Sequence, residues 1–460
     1  MVDTDELRGR LASVPREALI DALVELYEWG DDAARARVEA AGATGDFDGA
    51  ARVVQEALTR WKGQSRFVSY RESGAFAREI GTVIDALERE VLPADPNQAF
   101  NLAETAMSAE EHIAGAVDDS DGDVGAELQR LPIVWMKAAA KLPRPPAGWA
   151  DHVKKMVDHD DWSVRDRMLE NAELLLSPDE LRTLYERYEV ELRASIKTEG
   201  EPNVSGFRSL ARMEQIAIAL KEPELYEKAM RTLSPAPNEL QLVAVAQQYL
   251  AFGRPKRVVE LLESADFDKR YSDYDRNRLL DEAYAALGNH QARMDLARRL
   301  FECTPSRESF RALFDLLPEE KRPALRDEAK TRALDDTETL RAAQLLVELG
   351  SIDDAGELLL RRREALPPAF YGSLLELAQA FDSAGRIVPQ VVLYRTLLLD
   401  ILERGYSRAY HHAVDYFEKL VKLERQISAY PSGLEGMAEF TAALKTRHGR
   451  KRSFWDRIRG

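Results

Sequence analysis

Apolar residues recur along this chain at intervals of three and four positions, and runs that alternate apolar with polar are nearly absent. That spacing aligns side chains on one face of an α-helix, whereas a strand requires alternation. Two clear stripes stand at Leu19, Leu23, Leu26 and Tyr27, and at Ile80, Val83, Ile84, Leu87 and Val91. The pattern predicts an all-α protein with a helix at each of the two stripes.

Several short motifs predict where helices begin and end. Ser177–Glu180 has the order of a helix N-terminus: serine as cap, proline at the first position and glutamate bonding back. Ser108 with Glu111 repeats this logic, and Pro93 is expected to end the second stripe.

Two short apolar runs, at 67–70 and 387–392, are isolated within helical pattern. Helix is therefore favoured over strand at both.

Turn residues return at regular intervals in the second half of the chain. They form the segments Phe252-Gly253-Arg254, Leu287-Gly288-Asn289, Leu349-Gly350-Ser351 and Ala384-Gly385-Arg386. Gly253 and Gly288 are 35 residues apart, as are Gly350 and Gly385. The interval between the two pairs contains Pro318-Glu319-Glu320, which marks a fifth hairpin. This period is close to that of tetratricopeptide repeats.

The match to the tetratricopeptide consensus is partial. Tyr249 and Tyr284 stand four residues before their turn glycines, and Ala355 stands five after its own. Arg293 and Gln390 occupy positions where the consensus has a small residue. The sequence therefore predicts a solenoid of degenerate tetratricopeptide-like hairpins, each burying its apolar face against its neighbours.

Polar and proline-rich segments suggest the domain organisation. The turn-rich stretch at 199–203 favours a boundary near residue 200, and prolines at 143–146 interrupt the first half. We predict two helical lobes, an irregular one at 1–200 and a tetratricopeptide-like one at 201–440. A basic, aromatic tail follows at 441–460.

Composition narrows the compartment and the partners. The 460 residues are 45% hydrophobic and carry a formal charge of -16, which disfavours coating of nucleic acid or anionic membrane. Residues 1–10 are charged and lack the apolar core of a signal peptide, and no apolar run reaches membrane-spanning length, so neither export nor membrane insertion is expected. Cys303 is the only cysteine, so neither an intrachain disulfide nor a cysteine-based zinc site can form. These features predict a cytoplasmic protein without membrane contact.

The C-terminal tail differs in charge from the rest of the chain. Residues 441–460 contain seven lysines and arginines against Asp456 alone. The candidate interaction residues in the tail are Arg450, Lys451, Arg452, Phe454 and Trp455. Their cations and rings could contact phosphates and stack bases, or the two rings could dock on the last hairpin. Docking is favoured because an acidic body repels a nucleic-acid backbone.

Two groups of acidic and histidine residues suggest metal binding, and each has a simpler interpretation. Asp118–Asp123 resembles a cation-binding loop, but its first and twelfth ligand positions would be Val117 and Leu128. His152 and His159 lie near Asp158, Asp160 and Asp161, without the spacing of a known motif. An acidic turn and a solvated helix end are favoured, and ion binding by the turn is left open.

A histidine pair and the single cysteine also have simple interpretations. His411 and His412, near Asp415, are expected to point to different helix faces, with one packed and one exposed. Cys303 lies outside any nucleophile motif and is expected to be a buried or half-buried thiol. Phosphate-binding, dinucleotide-binding and serine-hydrolase motifs are absent from the sequence. The sequence therefore predicts no catalytic, cofactor-binding or metal-binding residues.

The chain resembles an uncharacterised bacterial family of helical-repeat proteins, some of which carry a SWIM-type zinc finger in front. The stretches that carry the resemblance are Phe67–Arg71, Asp118–Gly122, Asp161–Val164, Tyr410–Ala413 and His448–Trp455. The resemblance implies an all-helical repeat fold and no particular reaction. The finger itself, CxC followed by CxH, is absent here.

The expected function is that of a non-enzymatic protein–protein interaction scaffold, because stacked hairpins expose a long, variable surface. One alternative is nucleic-acid association through the basic tail. A second is a cryptic metal-dependent enzyme that uses the acidic turn or the histidines. The identity of a protein partner does not follow from the sequence.

Overall fold

A computed structural model describes residues 10–11, 14–30, 32–42, 47–63, 66–145, 148–160, 163–196, 204–264 and 273–459. This part of the chain is helical and contains no β-strand. Val68 and Val117 form one isolated parallel bridge within it. The all-α prediction is confirmed.

The chain divides into two compact units, Met1–Leu279 and Leu280–Gly460. Each unit has its own cluster of buried hydrophobic side chains, from Ala50 to Ala229 in the first and from Ala297 to Trp455 in the second. The boundary predicted near residue 200 lies outside the described residues, so the lobe limits at 200 and 440 stay predictions.

The first unit is built from helices α1 to α15 and the start of α16. They are α1 (Arg16–Trp29), α2 (Asp32–Gly42), α3 (Phe47–Lys62), α4 (Tyr70–Ala86), α5 (Leu92–Ala94), α6 (Pro96–Met107), α7 (Glu110–Gly115), α8 (Asp123–Leu128), α9 (Leu131–Ala139), α10 (Ala150–Asp158), α11 (Pro178–Ser195), α12 (Val204–Leu220), α13 (Pro223–Leu233), α14 (Glu239–Ala251), α15 (Pro255–Ser264) and α16 (Asp273–Ala286). A π-helical turn at Leu87–Val91 joins α4 to α5, and a 3-10 helix covers Leu169–Leu174.

The second unit continues with ten helices in the described residues. They are α17 (His290–Cys303), α18 (Arg307–Leu316), α19 (Arg322–Asp335), α20 (Thr339–Glu348), α21 (Ile352–Arg361), α22 (Tyr371–Ser383), α23 (Ile387–Arg404), α24 (Tyr410–Glu424), α25 (Met437–His448) and α26 (Arg452–Arg459). Short 3-10 turns precede α19, α22 and α24.

The predicted turn glycines separate helices as expected. Gly253, Gly288, Gly350 and Gly385 have φ of +70°, +66°, +76° and +65°, a region that L side chains rarely adopt. In the second unit, α20 packs against α21 and α22, and α23 packs against both α21 and α22. Consecutive hairpins therefore bury apolar surface against one another there.

The boundary motifs had different outcomes. Ser177 caps α11: its hydroxyl and the Glu180 carboxylate form a capping box. Ser108 does not cap, because its backbone is helical and its hydroxyl donates to the Thr105 carbonyl. Pro93 does not end the helical path either, because it lies in the first turn of α5, where a missing amide costs little. The path ends at Asp95, whose backbone is extended.

The two apolar stripes also differ. Ile80, Ile84 and Val91 are fully buried in the first unit. The stripe of α1 is not in the core: Leu23 is 42% exposed and Leu26 is 47% exposed. The helix packs chiefly against its neighbour α2, which leaves its apolar side chains accessible.

The run at 387–392 opens α23, as predicted. The helical prediction is wrong for most of the run at 67–70, because Ser69 has the extended backbone of an N-cap and α4 begins only at Tyr70. Val68 instead forms the isolated bridge with Val117. Among the described residues, no helix is both long enough and apolar enough to cross a membrane.

Candidate functional site

The aromatic residues of the tail lie inside the second unit. Phe454 is fully buried and its ring lies 6.3 Å from that of Tyr410, centroid to centroid. Trp455 is 7% exposed, and its indole nitrogen donates to the His448 carbonyl over 3.0 Å. Arg450 and Arg452 are exposed and Lys451 is half-buried. The rings therefore help hold α26 against α24, and the cations are the surface part of the tail.

The acidic turn at Asp118–Asp123 caps a helix. The Asp119 carboxylate accepts hydrogen bonds from the amides of Val124 (2.9 Å) and Gly125 (2.8 Å) at the start of α8. Asp121 accepts a hydrogen bond from Tyr70, which raises the pKa of that phenol. Asp118 accepts a hydrogen bond from the Ser120 hydroxyl over 2.5 Å, so three carboxylates of the turn have protein donors as partners.

The histidines of α10 have separate surroundings. The His152 ring stacks on Trp135 at 5.3 Å, and its Nε2 lies 3.8 Å from a carboxylate oxygen of Glu104. His159 Nδ1 donates to the Lys155 carbonyl over 2.8 Å. Asp161 lies outside the described residues. Within the described part of the chain, no three side chains of histidine, cysteine, aspartate or glutamate are grouped to hold a metal ion.

Two expectations about individual side chains are wrong. His411 and His412 are both exposed, with ring centroids 3.9 Å apart, because Tyr410 and Ala413 take the buried positions of that turn. Cys303 is exposed, because it is the last residue of α17 and the chain leaves the core there.

The structure reveals a site that the sequence analysis did not single out. A groove of about 810 Å³ in the first unit is lined by residues of α11, α13, α14, α15 and the turn before α15. Its cations are Arg193, Lys228, Arg231, Arg254 and Arg257. We call it the cationic groove. Lys228 and Arg231 are three residues apart on α13 and so share a helix face.

A buried glutamate organises the base of the cationic groove. Glu227 is 8% exposed, and its carboxylate accepts hydrogen bonds from Arg231 (2.8 Å), Arg257 (3.2 Å) and the Tyr249 hydroxyl (2.8 Å). Burial alone would raise the pKa of Glu227, but the hydrogen bonds from Arg231 and Tyr249 outweigh it and the pKa is lowered. The glutamate is therefore a fixed anion that positions two guanidinium groups.

The other side of the groove is held in the same manner. Glu189 on α11 pairs with Arg193 (2.7 Å) and with Lys228 (2.6 Å), and Arg257 also reaches Glu260 over 3.1 Å. These ion pairs hold long basic side chains in place. The groove is lined by five cations and by two carboxylates, Glu224 and Glu227.

Arg254 is the exception among the five cations. Its side chain is exposed and makes no ion pair or hydrogen bond with the residues that the structure describes. It follows Gly253 directly, so the left-handed turn presents it at the edge of the groove. A guanidinium group without a carboxylate partner can bind an incoming carboxylate in a bidentate manner.

A partial signal for this groove exists in the sequence. Gly253-Arg254-Pro255-Lys256-Arg257 places three cations directly after a turn glycine in an acidic chain. Arg193 and Lys228 come from earlier helices, and only the packing of α11, α13 and α15 brings them to the same place. The sequence predicts the turn at Gly253, but not that Arg193 and Lys228 lie near it.

The comparisons with known proteins give one match. A family model described as a family of unknown function (DUF6880) matches residues 10–457. No curated protein and no solved structure matches the chain.

Proposed function

We propose that this chain, which belongs to that family of unknown function, is a non-enzymatic protein–protein interaction scaffold whose cationic groove binds an acidic segment of a partner. The observation that carries the proposal is the unpaired Arg254 beside four other cations, in a chain of charge -16. Local positive potential within an acidic surface attracts anionic groups selectively.

The arrangement of the groove supports binding of a carboxylate-bearing peptide. Glu227 and Glu189 pre-organise the cations, so little side-chain entropy is lost when an acidic segment is bound. Tyr249 lies beside the pair of arginines, and burial followed by its bond to Glu227 raises the pKa of its hydroxyl. The phenol therefore stays protonated and keeps donating its single proton to Glu227, which holds that carboxylate in place beneath the arginines.

The helical pairs of the second half support the finer description as degenerate tetratricopeptide-like repeats. Four turn glycines with positive φ each lie between the two helices of one hairpin. The hairpin of α20 and α21 packs against the hairpin of α22 and α23. Repeats of this kind present variable side chains on a surface that the core does not constrain. A solenoid built from these repeats, the relation to SWIM-bearing proteins and the cytoplasmic location are all parts of the proposal.

The test measures binding of fluorescein-labelled hexaglutamate to the full chain by fluorescence anisotropy at low ionic strength. Arg254→Gln is expected to weaken binding about two- to fivefold, the usual worth of one exposed ion pair. Arg71→Gln, which removes an exposed arginine elsewhere in the first unit, is the matched control and is expected to leave affinity unchanged. Added salt is expected to weaken binding of the wild type.

Two results would contradict the proposal. One is equal affinity of the wild type and the Arg254→Gln variant for hexaglutamate. The other is binding of labelled single-stranded RNA, but not of hexaglutamate, that is lost when residues 445–460 are deleted. That second result would instead support the alternative of nucleic-acid association through the tail.

A further inference from the structure

A second cavity, of about 550 Å³, lies in the second unit among α23, α25 and the segments that precede α22 and α25. Its apolar wall consists of Leu366, Val392, Leu399, Leu434 and Phe440. This volume is within the range of pockets that hold small molecules. Two arginine side chains, Arg363 and Arg395, also line this largely apolar wall.

Arg395 is the most unusual of these groups. It lies on α23, is 6% exposed and makes no ion pair with any described residue. Its Nη2 donates to the Glu435 carbonyl over 2.9 Å, and its Nε is buried without a hydrogen-bond partner. The guanidinium carbon lies 4.4 Å from the centroid of the Phe440 ring.

A buried cation without an anion is costly, because neither a carbonyl nor a ring face fully replaces water. Glu435 and Glu424 act on the charge of Arg395 through space, but neither forms an ion pair with it. Glu424 accepts a hydrogen bond from the Met437 amide, and the Glu435 side chain is exposed. Burial accordingly lowers the pKa of Arg395.

A second guanidinium group lines the same cavity. Arg363 donates to the carbonyls of Leu360 (2.9 Å) and Gly433 (2.7 Å), and it has no ion pair within the described residues. Gly433 has φ of +80°, which turns the chain so that its carbonyl meets Arg363. Both arginines are therefore held by backbone carbonyls, and each keeps its charge without a carboxylate.

The acidic residues around the cavity restrict what can enter. Asp400 pairs with Arg404 at 3.2 Å and Glu403 pairs with Arg447 at 3.0 Å, whereas Glu364 is exposed. Repulsion by these carboxylates grows with the negative charge of a ligand, so the surround disfavours phosphate and other multiply charged anions. It leaves room for one compact negative charge beside the arginines.

We propose that this cavity binds a small monocarboxylate with an apolar body. Its carboxylate lies against Arg395 and Arg363, and its body packs against Phe440 and the aliphatic wall. The inference concerns the second unit alone and is independent of the cationic groove.

The test uses isothermal titration calorimetry of the full chain with sodium octanoate, octylamine and inorganic phosphate as separate probes. Octanoate is expected to bind, and the other two probes are expected to bind at least tenfold more weakly. Arg363→Met is expected to weaken octanoate binding about tenfold, since it removes a charge-assisted contact. Arg408→Met removes an exposed arginine of the same unit and is the matched control.

Arg395→Met and Arg395→Lys complete the set. Arg395→Lys keeps the charge but loses the fork geometry of the guanidinium group. If Arg395→Met fails to fold, octanoate binding by Arg395→Lys and by Arg363→Met, at a half-buried position, decides the question. The proposal is overturned if octanoate does not bind, if it binds Arg363→Met and the wild type equally, or if octylamine or phosphate binds more tightly.

Discussion

At the scale of single residues, backbone conformation distinguishes glycines that look alike in the sequence. Gly350 has φ of +76°, whereas Gly372 lies within α22 with an ordinary negative φ. A Cβ added at either position would meet no atom within 4 Å. Alanine substitutions at the two positions therefore differ in backbone strain but not in steric crowding.

We expect Gly350→Ala to lower the free energy of unfolding by about 1 kcal/mol, because alanine is strained at positive φ. Gly372→Ala is the matched substitution in the same unit and is expected to be neutral or to stabilise slightly, since alanine favours helix. Urea unfolding followed by circular dichroism measures both. Equal destabilisation by the two variants would contradict the role assigned to the turn.

Ionisation of Glu214 makes the free energy of unfolding depend on pH. Burial raises its pKa from 4.5 to about 7, and a hydrogen bond from Tyr226 offsets part of that effect. The folded chain thus keeps this proton where the unfolded chain has lost it. The stabilisation is complete below the unfolded pKa and is lost as the pH rises towards the folded value.

The free energy of unfolding of the wild type is expected to fall by up to about 3 kcal/mol between about pH 5 and pH 7 because Glu214 ionises. We expect Glu214→Gln to remove this part of the fall. The glutamine cannot ionise and can still bond to Tyr226. Glu173→Gln, at an exposed position of the same unit, is the control and is expected to leave the slope unchanged. Unfolding free energies measured across this pH range would refute the assignment if the slope of the Glu214 variant matched that of the wild type.

At the scale of helices, cap residues act only where the backbone allows it. Ser177 has an extended backbone, with ψ of 157°, and its hydroxyl and Glu180 close the capping box of α11. Ser108 has ψ of -12° and remains within the helical turn that ends α6. The same residue type, followed three positions later by glutamate, therefore has two different roles.

We expect Ser177→Ala to destabilise the first unit by about 1 kcal/mol, the usual cost of a lost cap. Ser108→Ala is expected to change the free energy of unfolding by less than about 0.5 kcal/mol, because only a bond to the Thr105 carbonyl is lost. Thermal and urea unfolding of both variants provide the measurement. A larger effect at Ser108 than at Ser177 would show that the assignment of caps is wrong.

At the scale of the whole molecule, the two buried clusters have no residue in common. Leu184 is fully buried in the cluster of the first unit, and Leu346 is fully buried in that of the second. Substitution of either leucine by alanine leaves a cavity and costs about 2–5 kcal/mol locally. These two positions therefore report on each core separately.

We expect Leu184→Ala to accelerate amide hydrogen exchange in residues 50–229, and Leu346→Ala to accelerate it in residues 297–455. Mass-spectrometric hydrogen exchange resolves the two regions in one experiment. Acceleration of both regions by either variant would mean that the clusters unfold as one cooperative unit.

The sequence by itself determined the helical content, the cap at Ser177 and the glycine turns, because these depend on residues within one or two helical turns of one another. Only the tertiary structure decided that the stripe at Leu23 and Leu26 is exposed. The charge of the body favoured docking of the rings of Phe454 and Trp455, but the sequence did not give their partner, which is α24. The cationic groove and the uncompensated charge of Arg395 likewise came from the tertiary structure. Burial and charge pairing depend on residues far apart in the chain, and local patterns carry little information about which of them meet.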